Sequence, residues 1–570
     1  MTGTLELRSQ RLGPLPLINH FLDRLGLQAL LERFVPTHDR RIRLAYSKGL
    51  GVLLRSVLVE REPIYRQQET VSGFAAECFG LQDELVRHVG DDAIGRALDR
   101  LFDADRAALL TEVVVAASER FGVALEELHN DSTTIRFCCQ YLSALGRSVR
   151  GKRGPFITYG YSKDHRPDLK QLLFILTSSD DGGIPVQFRC EAGNASDSRT
   201  HEQTWDALCR AARRVDFLYV ADCKLCNRQA MDHIASRQGR FVTVMPRSRG
   251  EDRQFRQWIQ SHQPSWELVW DRPNPRRGSG PPDRWWVLRS PVPSREGWPV
   301  IWVHSELLAL RQERTRQERL VRAIEHLQEL NARLLGPRPR RRSRRQVRKR
   351  VEEILTERHV RRYLKVEIVP DQQDYFKQEK AGRPGPNTRY VRKTRKRFRL
   401  EWMLNEKRVA YDHKSDGMYP LLTNDLELSA AQALQAHKRQ PSIEKRFEQT
   451  KTVFEIAPVL LKNEGRVEAL FFVYFLALFV QAIIERELRR AMRDNNIESL
   501  PLYPEERRTK RPTAEQIFRL FAATQRHELH RHGRVVNNFE VSLTDLQAQL
   551  LSLLDVPRSA YTAAPGHGVN

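Results

Sequence analysis

Across 570 residues and 66.4 kDa, 40% hydrophobic and 29% charged residues exclude a disordered or fibrous chain and leave room for several domains with their own cores. Lys and Arg outnumber Asp and Glu 95 to 71, a net charge of +24. That surplus points to a polyanionic partner, nucleic acid ahead of a membrane surface, because each basic contact to phosphate releases counterions. Seven cysteines, an odd number, and no signal peptide at Met1-Thr2-Gly3-Thr4 point to reduced thiols in a cytoplasmic, nucleoid-associated setting.

From Leu15 to about Ala117, apolar residues recur at helical spacing, as in Leu17-Ile18-Phe21-Leu22-Leu25 and Ile94-Ala97-Leu98-Leu101-Phe102. The pattern predicts an all-helical amino-terminal domain over residues 1–120. Its Arg40, Arg41, Arg43, Lys48 and Arg55 suit either a recognition helix on duplex DNA or a solvated basic face.

Leu125 to Phe137 reads as a strand with one carboxylate, Asp131, in its middle, either a metal ligand or a turn-capping aspartate. A Gly-rich basic loop from Gly146 to Lys163 follows. Two apolar runs, Leu169–Thr177 and Ile184–Cys190, then flank Asp180-Asp181-Gly182-Gly183, whose glycines supply the positive φ that a hairpin turn requires. A helix over Thr200–Arg214, a strand Phe217–Asp222 ending in a carboxylate, a helix Asn227–Arg237 and a strand Phe241–Met245 complete the order βββαβαβ. That is the order of a ribonuclease-H-like mixed sheet, here over residues 121–250. Acids on adjacent central strands of such a sheet converge on hydrated divalent cations. Oxygen ligands suit Mg²⁺ or Mn²⁺, and two ions roughly 4 Å apart clamp both oxygens of an in-line phosphoryl displacement. Cys223-Lys-Leu-Cys226 is a lone CxxC without a second pair at zinc spacing, better read as small residues beside a strand end.

Residues 251–407 change character, with many tryptophans and short alternating runs at Arg284–Arg289 and Val300–Val303 that predict strands. A long charged helix spans Ser305–Leu335, Gly336 to Arg345 breaks it with an arginine run, and a second helix continues to about Tyr363. Arg340, Arg341, Arg342, Arg344 and Arg345 present planar forks suited to phosphates. Arg389 to Arg399 interleaves aromatics with cations, as a nucleic-acid surface or as the polar face of a strand. Over residues 408–495 a strand at Gly417–Thr423 precedes a helix from Ser429. An unbroken helix from Ser442 would place Glu444, Glu448 and Lys451 on one face. The apolar run Ala469–Val480 is shorter than the roughly 18 residues that span a bilayer and predicts a buried core helix. Residues 496–570 read as a helical tail, with a capping box at Thr513-Ala-Glu-Gln516.

Asn130-Asp131-Ser-Thr-Thr, Gly160-Tyr-Ser-Lys-Asp-His-Arg-Pro-Asp-Leu-Lys170, Val220-Ala-Asp222, Leu421-Leu-Thr-Asn-Asp425 and Ile443-Glu444 to Lys451 together resemble, in order and spacing, bacterial insertion-sequence DDE transposases of the cut-and-paste type with an insertion in the catalytic core. The resemblance implies an α/β fold, a ribonuclease-H-like core with a large inserted domain, preceded by the helical amino-terminal domain. It implies that Asp131, Asp222 and Glu444 hold two Mg²⁺ ions, with Mn²⁺ able to substitute. Related transposases carry a Tyr, Arg, Glu, Lys signature, and the corresponding places here hold His437, Gln440, Glu444 and Lys451. The first two would contact the terminal phosphate, and Lys163, His165 and Arg166 would hold DNA beside the metals. The implied reaction cleaves DNA at the element ends and joins the freed 3′ hydroxyl to target DNA, in a homodimer on paired double-stranded ends, with no membrane involved. A structure-directed nuclease on the same core and a catalytically inactive DNA-binding relic are the alternatives.

Overall fold

The computed structural model describes the chain except residues 1–4, 138–145, 147, 155, 162, 164, 165, 197, 198, 274–279, 337–342, 454–462, 533 and 563–570. It is a mixed α/β protein of two compact units, Met1–Thr243 with Gln435–Asn570, and Val244–Leu434.

The first unit opens with a strand, β1 (Leu5–Arg11), so the amino-terminal domain is not all-helical. β1 runs antiparallel to a strand near the carboxyl terminus, with Leu5 opposite Arg531 and Arg11 opposite Gln525. Helices α1 (Leu15–Leu25), α2 (Leu27–Phe34), α3 (Tyr46–Val59), α4 (Asp91–Asp103) and α5 (Arg106–Phe121) follow, their apolar faces buried as the spacing predicts. Asp105 caps α5 by accepting from the Ala108 amide at 3.0 Å.

β2 (Glu127–Phe137) pairs antiparallel with β3 (Lys170–Ser179), and β3 with β4 (Pro185–Ala192). The turn between β3 and β4 uses Gly182 at φ 81° and Gly183 at φ 66°. A Cβ on Gly182 would also meet the Arg486 side chain at 2.8 Å. After α6 (His201–Ala212), β5 (Leu218–Ala221) lies parallel to β2, and after α7 (Arg228–Ala235), β6 (Arg240–Val244) lies parallel to β5. The strand order here is β4-β3-β2-β5-β6, antiparallel on one side of β2 and parallel on the other.

The second unit begins with α8 (Gly250–Trp258) and carries β7 (Glu267–Arg272), β8 (Asp283–Arg289) and β9 (Val300–Ser305) in antiparallel order. α9 (Glu306–Leu335) and α10 (Arg344–Glu357) pack on the base of a long hairpin, β10 (Leu364–Gln378) and β11 (Tyr390–Leu404). Leu327, Leu330, Val351, Ile354, Ile368 and Leu400 form part of that core. The tract Arg389 to Arg399 is therefore mostly strand. After α11 (Glu406–His413), β12 (Met418–Thr423) pairs antiparallel with β9.

The chain returns to the first unit within α12 (Ala430–Arg439) and continues into α13 (Pro441–Glu448). α14 (Glu464–Asp494) is the core helix. It is long and apolar enough to cross a membrane by composition, contrary to the shorter run read from sequence, and most of its apolar stretch is buried. Phe475 stacks on Phe188 of β4 at 5.0 Å, and Arg466 pairs with Asp99 of α4 at 2.7 Å. After α15 (Ala514–Phe521) the tail is not wholly helical: β13 (Gln525–Arg531) and β14 (Arg534–Phe539) form a hairpin that joins β1, before α16 (Asp545–Leu553). These strands escape the hydrophobic pattern because they are mostly polar and are held by the backbone ladder.

Candidate functional site

Asp131 sits mid-strand on β2 and Asp222 follows the last residue of β5. The parallel register pairs Asn130 with Ala221, so continuing it by one residue brings the two aspartates level on neighbouring strands. Asp222 is fixed by its turn: its Oδ1 accepts from the Lys224 amide at 2.9 Å and its carbonyl accepts from Thr243 Oγ1 at 2.7 Å.

Glu444 comes from α13, which packs on β2 and β3, with Ile443 and Phe447 buried and Phe447 edge-on to Phe174 of β3 at 6.5 Å. Arg446, two residues further on, is buried and pins the helix. It donates to the carbonyls of Gly182 and Gly183 at 2.8 Å each and to Glu485 of α14 at 2.9 Å. The Glu444 side chain stays exposed.

Burial pushes the Asp131 carboxyl up to about 6; the Ser132 amide and the Lys163 ammonium oppose that, while the charges of Asp222 and Glu444 add to it. Asp131 therefore lies within electrostatic range of both other acids. Among the described residues, however, no group of three or more His, Cys, Asp or Glu side chains lies close enough to hold a single ion. The Ser132 amide donates to Asp131 Oδ1 at 2.7 Å, and Lys163 Nζ donates to the Ser132 carbonyl and hydroxyl, each at 2.7 Å. Lys163 thus lies beside the strand of Asp131.

Other predicted residues divide. Arg166 pairs with Asp168 at 2.7 Å, while His165 and Arg340, Arg341 and Arg342 lie outside the described residues. Arg344 and Arg345 are exposed at the start of α10, where Ser343 caps the helix by accepting from the Gln346 amide at 3.3 Å. His437 and Gln440 share a hydrogen bond, and burial, with Lys438 and His129 adding to it, lowers His437 to about 4, so its ring is neutral at pH 7. The helix from Ser442 is not unbroken: α13 ends at Glu448 and a wider π turn over Gln449–Val453 carries Lys451, which rotates Lys451 off the face predicted at seven-residue spacing.

A second cluster was not predicted. Glu127, His129 and Asp131 share one face of β2 by two-residue alternation. Glu127 Oε1 meets His129 Nε2 at 2.8 Å and accepts from Arg439 Nε at 2.7 Å. The available signal was the two-residue spacing of Glu127, His129 and Asp131 along a stretch that reads as a strand. In the second unit, a cleft of about 670 Å³ is lined by Arg247, Arg253, Arg311 and Arg319, and by Arg316 in a bidentate pair with Asp416.

A family model described as a domain of unknown function (DUF4277) matches residues 7–115, the segment from β1 into α5. No curated protein matches the chain.

Proposed function

We propose that the chain is a divalent-metal-dependent phosphoryl-transfer enzyme acting on double-stranded DNA, a transposase of the DDE kind on a ribonuclease-H-like core. The observation that carries this reading is the level placement of Asp131 and Asp222 on parallel neighbouring strands, with Glu444 brought by α13 within electrostatic range.

The donor set fits Mg²⁺ in charge and in chemistry. Burial chiefly, and the charges of Asp222 and Glu444 in addition, disfavour ionisation of Asp131, and a bound cation would offset both. Mg²⁺ takes few protein ligands, keeping several waters and the substrate phosphates, so the acids need not close into one compact cluster. Asp131, Asp222 and Glu444 would hold two ions. When bound, these supply Lewis-acid polarisation and a nucleophile activated at neutral pH. The protein's own part is to fix the acids and hold phosphate. Arg446 and the β3–β4 turn fix Glu444, the Thr243 and Lys224 contacts fix Asp222, and Lys163 sets a cation beside Asp131 where a phosphate oxygen would lie. Arg439 is committed to Glu127, so neutral His437 and Gln440 are left to donate hydrogen bonds to a terminal phosphate without its help. A homodimer on two paired ends supplies the symmetry that joint excision needs.

The test is strand cleavage and joining on DNA carrying the element's terminal repeats, with Mg²⁺ or Mn²⁺, comparing the native chain with Asp222→Ala. Joined products that vanish in the variant support the proposal. Cleavage without joining favours a nuclease, and tight binding without either reaction means a DNA-binding relic.

A further inference from the structure

The β10–β11 hairpin is far longer than its core requires. The ladder pairs every residue from Leu364↔Leu404 to Gln378↔Tyr390, yet the packed residues Leu364, Ile368 and Leu400 all lie in its lower half. Beyond Pro370 and Phe398, no residue of Gln372–Gln378 or Tyr390–Lys396 is buried, and Phe376 and Tyr390 are 69% and 52% exposed. A two-stranded ribbon with both faces in water has little to stabilise it. Its persistence in the fold calls for a surface that it meets.

The two faces of this arm differ. On one, Asp374 accepts from Arg392 and from Thr394 at 2.7 Å, so its charge is largely consumed within the arm. On the other, register sets Gln373 opposite Arg395, Tyr375 opposite Lys393 and Lys377 opposite Val391. Arg395 lies over the Tyr375 ring at 4.9 Å, while Gln373, Lys377 and Lys393 carry no hydrogen-bond or ion-pair partner among the described residues. Between Gln373 and Lys377 this second face carries hydrogen-bond donors and Val391 but no carboxylate, and the acid next along it is Asp371, opposite Arg397.

We propose that the arm enters the major groove of duplex DNA with the Gln373–Arg395–Tyr375–Lys393–Lys377 face toward the bases. The major groove, about 12 Å wide, admits a two-stranded β-ribbon. Arg and Gln are the side chains that make bidentate bonds to guanine and adenine edges, and lysines at the ribbon margin reach phosphate. Cations outnumber acids along the exposed part of the arm, with Arg392, Lys393, Arg395, Lys396 and Lys377 set against Asp374. The inference rests on duplex DNA being the partner and adds the element that reads it.

The test uses the full-length chain in EDTA, so that no metal-dependent step contributes, and a fluorescein-labelled 30-base-pair duplex followed by anisotropy across salt concentrations. Lys377→Ala/Lys393→Ala is expected to reduce the slope of log K against log salt by about 2, roughly one per lost phosphate contact. The major-groove ligand methyl green, and not the minor-groove ligand netropsin, should displace the native chain to the level of the variant. Native binding with an unchanged slope in the variant overturns the arm proposal and leaves DNA as the partner. Displacement by netropsin alone overturns the groove assignment. A variant that turns from dimer to monomer in sedimentation while binding DNA like the native chain shows the arm to be a subunit contact and also overturns it. No binding of the duplex by the native chain defeats the underlying reading of DNA as partner.

Discussion

Arg439 grips Glu127 across 312 residues of sequence, donating from both Nε, at 2.7 Å, and Nη2 to the two carboxylate oxygens. The pair joins α12, which leads directly into the helix of Glu444, to the strand that carries Asp131. Glu127 is mostly buried, and Arg439 is partly exposed.

Removing the arginine should leave a buried carboxylate with only His129 for company. Burial pushes Glu127 toward the neutral form, and the hydrogen bonds of His129 and Arg439 overcome that and hold its pKa below the usual carboxylate range. A lowered folded pKa contributes stability that is present above the unfolded value of 4.5 and is lost as pH falls through the folded one. Arg439→Ala should cost on the order of 2 kcal/mol at pH 7 and much less at pH 3. Urea midpoints at the two pH values measure this; an equal loss at both would mean that packing, not charge, joins the elements.

Asp131 gives the opposite sign. Its folded pKa is raised to about 6 from 3.8, so its contribution favours the fold below pH 3.8 and is lost as pH rises through 6. At pH 7.5 in EDTA, Asp131→Asn should be more stable than the native chain by about 1–2 kcal/mol, since each tenfold weakening of the carboxyl's acidity on folding corresponds to about 1.4 kcal/mol and the amide carries no charge to bury. Mg²⁺ should raise the melting temperature of the native chain and raise that of the variant less. Thermal melts with and without Mg²⁺ decide it, and equal melting temperatures in EDTA would contradict the strain assigned to this carboxylate.

β5 was legible from its unbroken apolar run Leu218–Ala221, and β3 and β4 from apolar runs on either side of a turn that needs its two glycines, whereas β2 has only Leu128, Ile135 and Phe137 as apolar residues. Apolar spacing also located α1, α4 and the middle of α14. β1 and β13 were not legible: Leu5 and Leu7 of β1 face outward, and the partner strand has a single leucine, so each half looks like loop until the other is beside it. β10 of the arm hid for a related reason, since polar residues on both faces erase the alternation that marks a strand, while Arg389 to Arg399, most of it in β11, was open to reading as the polar face of a strand. The sequence put Asp131 and Asp222 on neighbouring strands, but the parallel register that pairs Asn130 with Ala221 came only with the structure. The bond between Arg439 and Glu127 could not be read, because nothing local links residues so far apart.

His437 should behave as a neutral hydrogen-bonding group throughout the physiological range. Burial is the main reason its pKa falls from 6.5 to about 4, and Lys438 and His129 push the same way. Its contribution to stability is present above pH 6.5 and is lost as pH falls toward 4. In histidine-selective carbon-13 spectra, assigned with His437→Gln, its ring should show no protonation between pH 8 and 5.5. A midpoint near 6.5 would restore it as a pH-dependent cation for phosphate.

The strongest single loss of stability should come at the Arg446–Glu485 pair, whose side chains are 4% and 2% exposed and 2.9 Å apart. Burial raises Glu485, and Arg446 followed by Arg489 outweighs it, so the carboxylate titrates below its ordinary range. Arg446→Met leaves that charge buried with Arg489, at 3.3 Å, as its partner cation beside the Ala514 amide at 3.0 Å and Gln449 Nε2 at 3.1 Å, and frees the carbonyls of Gly182 and Gly183. A loss of about 3–5 kcal/mol is expected. Arg446→Met/Glu485→Met, which removes both charges, should recover part of it, giving a coupling of at least about 1 kcal/mol in a double-mutant cycle. Because Arg446 also orients the helix of Glu444, the double variant should regain more stability than strand-cleavage activity. Recovery of both in proportion would show that Arg446 serves the fold and not the placement of the third acid.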